Sequence, residues 1–288
     1  MISKRAFVAI GCLTLLAALS LAQSSWDQDG RRDRGWGWGW GRSRFPPKFP
    51  DSSSGHERGF TFCRVMYDSV RDEGLGHGWN TDYPGSDINF MTRFSELTKA
   101  QINLEDDGQP NHVVVTLMDD ALFEYPFIFM SDVGTVGFTP FEAERLRTYL
   151  LSGGFLYVDD FWGEPAWNQW SREIGKALPP DQYPIEDISL DDPIFRVFFD
   201  VHQVPQIPSI QYWRWSGGAG TSERGHETAE VHFRGIRDQR GELMVVMTHN
   251  TDIADGWERE AEDNEFFHLF SVDAYPVGIN IVLYSMTH

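Results

Sequence analysis

Two adjacent carboxylates and a tryptophan stand where a buried strand pattern ends, and they offer the clearest chemistry in this sequence. Asp159 and Asp160 follow the apolar run that starts at Phe155, and Trp162 comes two residues later. A carboxylate can bind a cation or transfer a proton, and an indole can cover the apolar face of a sugar. Because neighbouring strand residues point to opposite faces, we expect one aspartate to face a crevice and the other to cap a helix or orient a loop. In the alternative interpretation, both aspartates are caps and Trp162 packs inward.

Further polar groups are predicted at the same edge of the sheet. Asp132 follows another apolar run, His249 and Asp252 follow a later strand, and a glycine-rich loop carries Trp79. Strands of a parallel sheet end on one side, so the loops that leave them line one cleft. The candidate ligand-binding residues are Asp159, Asp160, Trp162, Asp132, Trp79, His249, Asp252 and Trp257. For the segment from His249 onward, a solvated acidic loop is the competing interpretation.

The motifs of several enzyme classes do not occur. The sequence contains no HExxH, no GxSxG, no phosphate-binding P-loop and no dinucleotide glycine fingerprint. Carboxylates along one rim could bind a hard cation, but their spacing does not match an EF-hand loop. We therefore leave the cofactor and the catalytic residues unassigned and name no metal ligands.

Hydrophobic periodicity places these residues on alternating strands and helices. Strands are predicted at 59–66, 112–118, 125–130, 155–161, 211–215, 231–236 and 243–248, and helices at 88–97, 140–152, 164–178 and 266–286. Ser86 or Asp87 is expected to cap the first helix, with Leu97 on its buried face. Thr139 starts a capping box before the second helix, where Phe141 is expected to point inward.

Apolar strand runs that alternate with helices predict an α/β fold with a parallel sheet and helices on both faces, plus a β-hairpin excursion near the end of the chain. We expect a single α/β domain over residues 59–288. The sequence before residue 59 shows other patterns. Residues 1–22 read as a signal peptide, with an uncleaved membrane anchor as the alternative. Residues 23–58, rich in Trp, Gly, Arg and Pro, read as a disordered linker that suits peripheral contact with a membrane surface or a glycan.

The charge of the chain argues against nucleic-acid binding. The formal net charge is −19, and because residues 1–50 carry +5, the rest carries −24. Such an acidic domain repels phosphate backbones. Once residues 1–22 are removed, Cys63 is the single cysteine, so no intramolecular disulfide is expected, and its apolar surroundings predict a buried structural thiol.

Three strings carry a family resemblance. The segments Gly153–Gly163, Asp192–Phe195 and Gly278–His288 resemble the bacterial family called domain of unknown function 4159. That family is similar in fold to class I glutamine amidotransferases and trehalose-utilisation proteins, which share a flavodoxin-like sheet, and it also occurs fused to aerotolerance-type membrane proteins. The resemblance therefore implies a flavodoxin-like, amidotransferase-like architecture. Amidotransferases place a nucleophilic Cys at a strand-to-helix elbow, but the matching segment Val158–Gly163 has no thiol, which argues against glutamine hydrolysis.

Two function classes remain. The first is a non-catalytic binding or interaction module, exported to the periplasm or outside the cell, with a protein or glycan partner at the envelope. The second is an envelope hydrolase that acts on carbohydrate through Asp159 or Asp160, with His249 nearby. The hydrolase predicts a pocket in which a carboxylate and His249 converge, whereas the module predicts separate caps and a flat aromatic face.

Overall fold

The computed structural model describes residues 45–50, 59–74 and 76–288. Its seven strands are β1 (Phe62–Met66), β2 (His112–Thr116), β3 (Phe127–Ser131), β4 (Phe155–Asp159), β5 (Glu186–Asp187), β6 (His232–Arg237) and β7 (Leu243–His249). Its helices are α1 (Gly85–Thr98), α2 (Pro140–Leu151), α3 (Gly163–Ala177), α4 (Ile210–Trp215), α5 (Ile253–Glu258) and α6 (Asn264–Thr287). The predicted signal peptide and most of the predicted linker lie outside the described residues.

One mixed sheet organises the fold, with the strand order β2-β1-β3-β4-β7-β6-β5. The strands from β2 to β7 in this order are parallel, whereas β6 is antiparallel to β7 and β5 is antiparallel to β6. Two hydrophobic cores cover the two faces of the sheet. One core contains residues of α2 and α3, and the other contains residues of α1, α5 and α6. The α/β fold of flavodoxin type, with helices on both faces and a closing β6–β7 hairpin, is thus confirmed. The finer likeness to amidotransferases stays a prediction.

The apolar helix α6 completes the second core. Its length and its mean hydropathy of 1.4 would allow it to cross a membrane. However, 61% of its apolar 18-residue stretch is buried inside the fold. A π-helical turn at Phe267–Ser271 and Pro276 interrupt its regular hydrogen bonding. The expectation that this segment is buried as a helix despite Pro276 is confirmed. Cys63 is a buried free thiol in β1, as predicted.

Four local expectations are wrong. The segment 211–215 belongs to helix α4 rather than to a strand, because Ser209 accepts a hydrogen bond from Tyr212 N and starts a helical turn. Phe141 is 76% exposed, since it lies two residues before buried Ala143 and therefore on the opposite side of α2. Leu97 is 47% exposed in the last turn of α1. Ser86 and Asp87 lie inside α1 and turn inward rather than capping it.

Residues 45–50 make contacts that the linker interpretation did not include. Lys48 O accepts a hydrogen bond from Val114 N at 2.7 Å, which extends the β2 edge by one backbone contact. Lys48 N donates to the Tyr83 hydroxyl at 3.1 Å, and Lys48 Nζ donates to Asn111 Oδ1 at 2.7 Å. This short segment therefore lies against the folded domain.

The capping box at Thr139 gives a stability prediction. Glu142 N donates to Thr139 Oγ1 at 3.2 Å, and Thr139 N donates to Glu142 Oε2 at 2.8 Å, on an exposed helix start. We expect Thr139→Ala to reduce the free energy of unfolding by about 1 kcal/mol. Phe155→Ala should cost more, about 3 kcal/mol, because Phe155 is buried in a central strand and its removal leaves a cavity. Urea denaturation measures both, and a larger loss for Thr139→Ala would contradict a central position for β4.

Candidate functional site

The carboxyl ends of the parallel strands border a crevice of about 370 Å³, which we call the acidic crevice. Its lining residues are Glu73, Gly76, His77, Thr81, Asp82, Asp132, Asp160, Trp162, Ser209, Gln211, Glu223, Arg224, Asp252, Asp255 and Arg259. Seven carboxylates and two guanidinium groups give this lining a formal charge of −5. The crevice therefore favours ligands that carry positive charge or donate hydrogen bonds.

Asp160 and Trp162 form one wall of the acidic crevice. Trp162 Nε1 donates a hydrogen bond to Asp160 Oδ1 at 3.1 Å, and both residues are more than 90% buried. Among the described residues, no donor hydrogen-bonds to Asp160 Oδ2. Burial raises the pKa of the Asp160 carboxyl well above its usual range, and nearby Asp82 and Asp132 raise it further. Asp160 thus presents one acceptor oxygen to the crevice.

Asp159 turns away from the crevice, as the alternation of strand side chains requires. It is fully buried, and its Oδ2 accepts a hydrogen bond from Ala254 N at 2.8 Å, in the first turn of α5. Its Oδ1 accepts a short hydrogen bond from the Thr248 hydroxyl. Burial raises the pKa of Asp159 to about 7. Asp159 therefore anchors the start of α5 and does not line the crevice, which is the helix- or loop-orienting role expected for one of the two aspartates.

Asp132 ends strand β3 and reaches the glycine-rich loop that follows β1. Its Oδ2 accepts a hydrogen bond from Gly78 N at 2.7 Å, and its side chain is almost completely buried. Burial raises the pKa of this carboxyl to about 7, and the charge of Glu73 adds to the increase. No described residue hydrogen-bonds to Asp132 Oδ1, so this oxygen, like Asp160 Oδ2, is an open acceptor.

Three aspartates converge at the other wall. Asp82, Asp252 and Asp255 each offer one carboxylate oxygen, and these oxygens lie within 4.8 Å of one another. Asp252 Oδ1 accepts from Asp255 N at 2.8 Å and so caps α5, and Asp255 Oδ2 accepts from Ile210 N at 2.8 Å. Asp82 Oδ2 is a buried atom that receives no hydrogen bond from a protein donor, and the side chain of Asp82 interacts with the Glu258 carboxyl. We call these three residues the aspartate triad.

Burial and repulsion between neighbouring carboxylates together raise the pKa values of the triad carboxyl groups. Desolvation raises the pKa of Asp252 and Asp255 well above the usual range of a carboxyl group, and neighbouring carboxylates add to the increase. Arg259 partly offsets this repulsion through an ion pair with Asp255, at 3.4 Å between Nε and Oδ1. The triad therefore has a net excess of negative charge in a desolvated place, which a bound cation would relieve.

A buried ion pair fixes the loop that carries Asp82. Arg64 in β1 is fully buried, and its guanidinium donates to both carboxylate oxygens of Asp87, with a shortest contact of 2.5 Å. The same guanidinium donates to the carbonyl oxygens of Trp79 at 3.0 Å and Thr81 at 2.8 Å. Because Thr81 immediately precedes Asp82, the ion pair also holds one member of the triad in place.

Left-handed backbone conformations concentrate at this site. Among the described residues, five that are not glycine have positive φ, and Asp82 (63°), Asp132 (53°) and Asp160 (55°) are three of them. Asn250, at 63°, precedes Asp252 by two residues. Aspartate and asparagine tolerate this region better than other L-residues, yet the conformation still costs free energy. Such strain often accumulates at functional sites.

Trp79 and Trp257 do not line the crevice, and that expectation is corrected. Trp79 is 3% exposed and packs on Tyr83, with ring centroids 5.5 Å apart. Trp257 is 1% exposed and packs on Phe90 at 4.6 Å, between α1 and α6. Both indoles are core residues, Trp79 in the core that covers one face of the sheet and Trp257 in the core that covers the other.

His249 also lies outside the acidic crevice, although it ends a neighbouring strand. Its ring is 4.8 Å from that of Phe161, Nε2 is 3.2 Å from Gly163 O, and Nδ1 is 3.4 Å from Arg234. A neutral imidazole that donates from Nε2 and accepts at Nδ1 satisfies both contacts. Burial lowers the pKa of His249 to about 4, and nearby Arg234 lowers it further. His249 is thus a neutral packing residue at neutral pH, away from the carboxylates.

A family model described as "Domain of unknown function (DUF4159)" matches residues 61–286. The chain belongs to the DUF4159 family. Comparison with curated proteins gives no match. The matched range includes every residue that lines the acidic crevice, so the crevice is part of the DUF4159 domain itself.

The sequence analysis did not identify all residues that line the acidic crevice of this DUF4159 domain. Asp82 and Asp255 complete the triad, and Glu73, Glu223 and Arg224 are further charged residues of the lining. A signal was available for two of them, because Asp255 lies one helical turn after Asp252 and Asp82 lies in the same loop as Trp79. For Glu223 and Arg224, no periodic pattern connects their loop to the sheet.

The buried carboxyls give the DUF4159 domain a predicted pH dependence. The pKa values of Asp132 and Asp159 are raised to about 7, whereas an unfolded aspartate has a pKa of about 3.9. Between these values the folded state binds more protons than the unfolded state, so stability falls as the pH rises from about 4 to about 7. We expect chelator-treated protein to melt at a lower temperature at pH 8 than at pH 5.5. Asp132→Asn should flatten this slope, and a melting temperature that rises with pH would contradict the assignment.

Proposed function

We propose that this protein is a divalent-cation-binding module of the cell envelope, with the acidic crevice as its binding site. The observation that carries the proposal is the convergence of Asp82, Asp252 and Asp255, whose carboxylate oxygens lie within 4.8 Å of one another. Hard cations prefer such oxygen ligands. Asp252 is 3% exposed, no described residue donates a hydrogen bond to its Oδ2, and Asp82 Oδ2 is a buried atom without a donor. The triad thus combines excess charge with acceptor oxygens that no protein donor occupies.

The coordination chemistry of the triad suits calcium. Its three carboxylate oxygens lie within 4.8 Å of one another, close enough to contact one divalent cation together. Calcium also accepts six to eight ligands in flexible geometry, so three carboxylates leave positions for water or for a ligand.

A cation titration of the full chain tests this proposal. Protein freed of metal by a chelator is heated at pH 8 with increasing Ca²⁺, with Mg²⁺, or with K⁺ at matched ionic strength. A cation that binds only the native state stabilises it by about 2.7 kcal/mol at a concentration one hundred times its dissociation constant. We expect a higher melting temperature with Ca²⁺ and little change with K⁺. The absence of any increase with divalent cations up to about 10 mM, above the weakest extracellular calcium sites, would refute the proposal.

The envelope location in this proposal rests on residues 1–22 and on the acidic charge of the rest of the chain, −24 over residues 51–288. A signal peptide ending at Ala22 would leave Gln23 as the first residue of the mature protein. N-terminal sequencing of the protein from cell fractions tests this. A protein that starts at Gln23 in the soluble exported fraction supports cleavage, one that keeps Met1 in the membrane fraction supports an anchor, and Met1 in the cytosolic fraction contradicts export.

A carbohydrate hydrolase is the second candidate; His249 does not line the crevice as that alternative required, but Asp132 favours it. Its pKa of about 7 lets the carboxyl hold a proton near neutral pH, as a general acid must, and Asp160 lines the same crevice. Glycosidases use such a pair of carboxyl groups on the two sides of the bond that they cleave. Release of reducing ends from envelope glycans, lost in Asp132→Asn, would establish this activity and replace the non-catalytic assignment.

A further inference from the structure

The acidic crevice keeps open acceptors beyond the aspartate triad. Asp132 and Asp160 are 2% and 8% exposed and line the crevice, and each has one carboxylate oxygen for which the described residues supply no donor. A ligand hydroxyl group in the crevice can therefore donate a hydrogen bond to each of these oxygens without displacing a protein donor. Asp132 and Asp160 directly follow strands β3 and β4 and are not members of the triad.

The charge of the crevice selects the class of ligand. The lining has a formal charge of −5, so a bound divalent cation leaves −3. Phosphorylated or carboxylated ligands would add repulsion, whereas an ammonium group would be repelled by the cation itself. A neutral ligand rich in hydroxyl groups avoids both penalties. Its oxygens can coordinate the cation while its hydroxyl hydrogens donate to carboxylates.

The size and the apolar part of the wall fit one sugar residue. A crevice of about 370 Å³ lies at the lower end of the usual range for small-molecule pockets, about 300–1,000 Å³. Trp162 supplies an aromatic edge in the same wall as Asp160, and Asp160 Oδ1 fixes the indole through its Nε1 hydrogen bond. An aromatic group beside acceptor oxygens complements the mixed apolar and hydroxyl surface of a pyranose ring.

We infer that the crevice binds a neutral carbohydrate through the cation. Two neighbouring hydroxyl groups of the sugar complete the coordination of an ion held by Asp82, Asp252 and Asp255, and further hydroxyl groups donate to Asp132 and Asp160. This inference rests on the proposed cation-binding function and adds the ligand class to it. The juxtaposition that carries it is the aspartate triad together with Asp132 and Asp160, which line the same crevice and each have an oxygen without a protein donor, and with Trp162, which donates to Asp160.

Saturation-transfer NMR on the full chain tests the inference, after Ca²⁺ binding has been measured separately by the melting-temperature titration. The probes are the methyl glycosides of glucose, mannose and galactose, with glucosamine and glucose 6-phosphate as charged comparisons. We expect a signal from at least one neutral glycoside in saturating Ca²⁺, and its loss when a chelator is added. At saturating Ca²⁺, Asp160→Asn should weaken that binding by about tenfold or more, because it replaces a carboxyl acceptor oxygen by an amide donor.

The outcomes separate the two proposals. Asp106→Asn is the matched control, since it makes the same chemical change at an exposed position outside the crevice, and it should bind the glycoside as the parent chain does. Ca²⁺ binding without any signal from a neutral glycoside would overturn the carbohydrate inference and leave the cation proposal intact. A glycoside signal that survives chelation, or a stronger signal from glucosamine or glucose 6-phosphate, would also overturn it. Failure of Ca²⁺ to bind would instead refute the proposed function.

Discussion

Replacement of Arg64 by methionine is expected to cost about 3–5 kcal/mol of folding free energy, because it leaves the carboxylate of Asp87 buried without a counter-charge. Both side chains are completely buried, and the guanidinium donates to both oxygens of Asp87. Urea denaturation of the full chain measures the loss. Since Arg64 also donates to Trp79 O and Thr81 O, the variant should bind Ca²⁺ more weakly as well.

The matched control removes both charges. Arg64→Met combined with Asp87→Leu replaces the ion pair by apolar groups, and buried pairs exchanged in this way often leave stability nearly unchanged. We expect the double variant to recover most of the lost stability, with strong coupling between the two positions. Its Ca²⁺ affinity should stay low, because the loop before Asp82 still lacks its anchor. A double variant less stable than Arg64→Met would contradict the assignment of the loss to the uncompensated charge.

Asp252→Asn is expected to lower Ca²⁺ affinity by about a hundredfold, since the charge and number of carboxylate ligands set the affinity of calcium sites. The substitution preserves the helix cap, because an asparagine Oδ1 can still accept from Asp255 N. Stability without calcium should therefore be equal to or higher than that of the parent chain, as the variant has one buried carboxylate fewer. Isothermal titration calorimetry measures the affinity, and thermal denaturation in a chelator measures the stability.

Asp106→Asn provides the control for a general loss of negative charge, because Asp106 is exposed and lies outside the acidic crevice. It should leave the Ca²⁺ affinity within about twofold of the parent value, as expected for a screened surface charge. Equal losses of Ca²⁺ affinity in Asp106→Asn and Asp252→Asn would show that the affinity depends only on the overall electrostatic field of the protein. In that case the triad would not be its site.

The elements that the sequence predicted well are those with strong local signals. Thr139 and Glu142 form the expected capping box, and the turn from Asp238 to Gly241 joins β6 and β7 as predicted. The predicted strands 125–130 and 155–161 are central parallel strands of the sheet, paired in register from Phe127 with Phe155 to Ser131 with Asp159. Periodicity and turn chemistry act over a few residues, so a single sequence contains this information.

The errors arise where a distant partner overrides the local preference. Ser86 and Asp87 are good cap residues, but buried Arg64 draws both side chains inward. His249 and Trp257 sit among polar residues in the sequence, yet both pack against aromatic rings supplied by other elements. For the candidate site, strand ends indicated the correct edge of the sheet. They could not show which loops close over that edge, because loop packing depends on contacts between residues far apart in the chain.

The left-handed backbone of Asp82, Asp132 and Asp160 has a consequence for how this protein can change by mutation. Only glycine and asparagine replace aspartate there at little conformational cost. Codons for both differ from those of aspartate by a single base, and both residues remove the carboxylate. One nucleotide change can therefore abolish ligand binding while the fold persists, so inactive but well-folded copies of this domain should arise readily in a genetic screen.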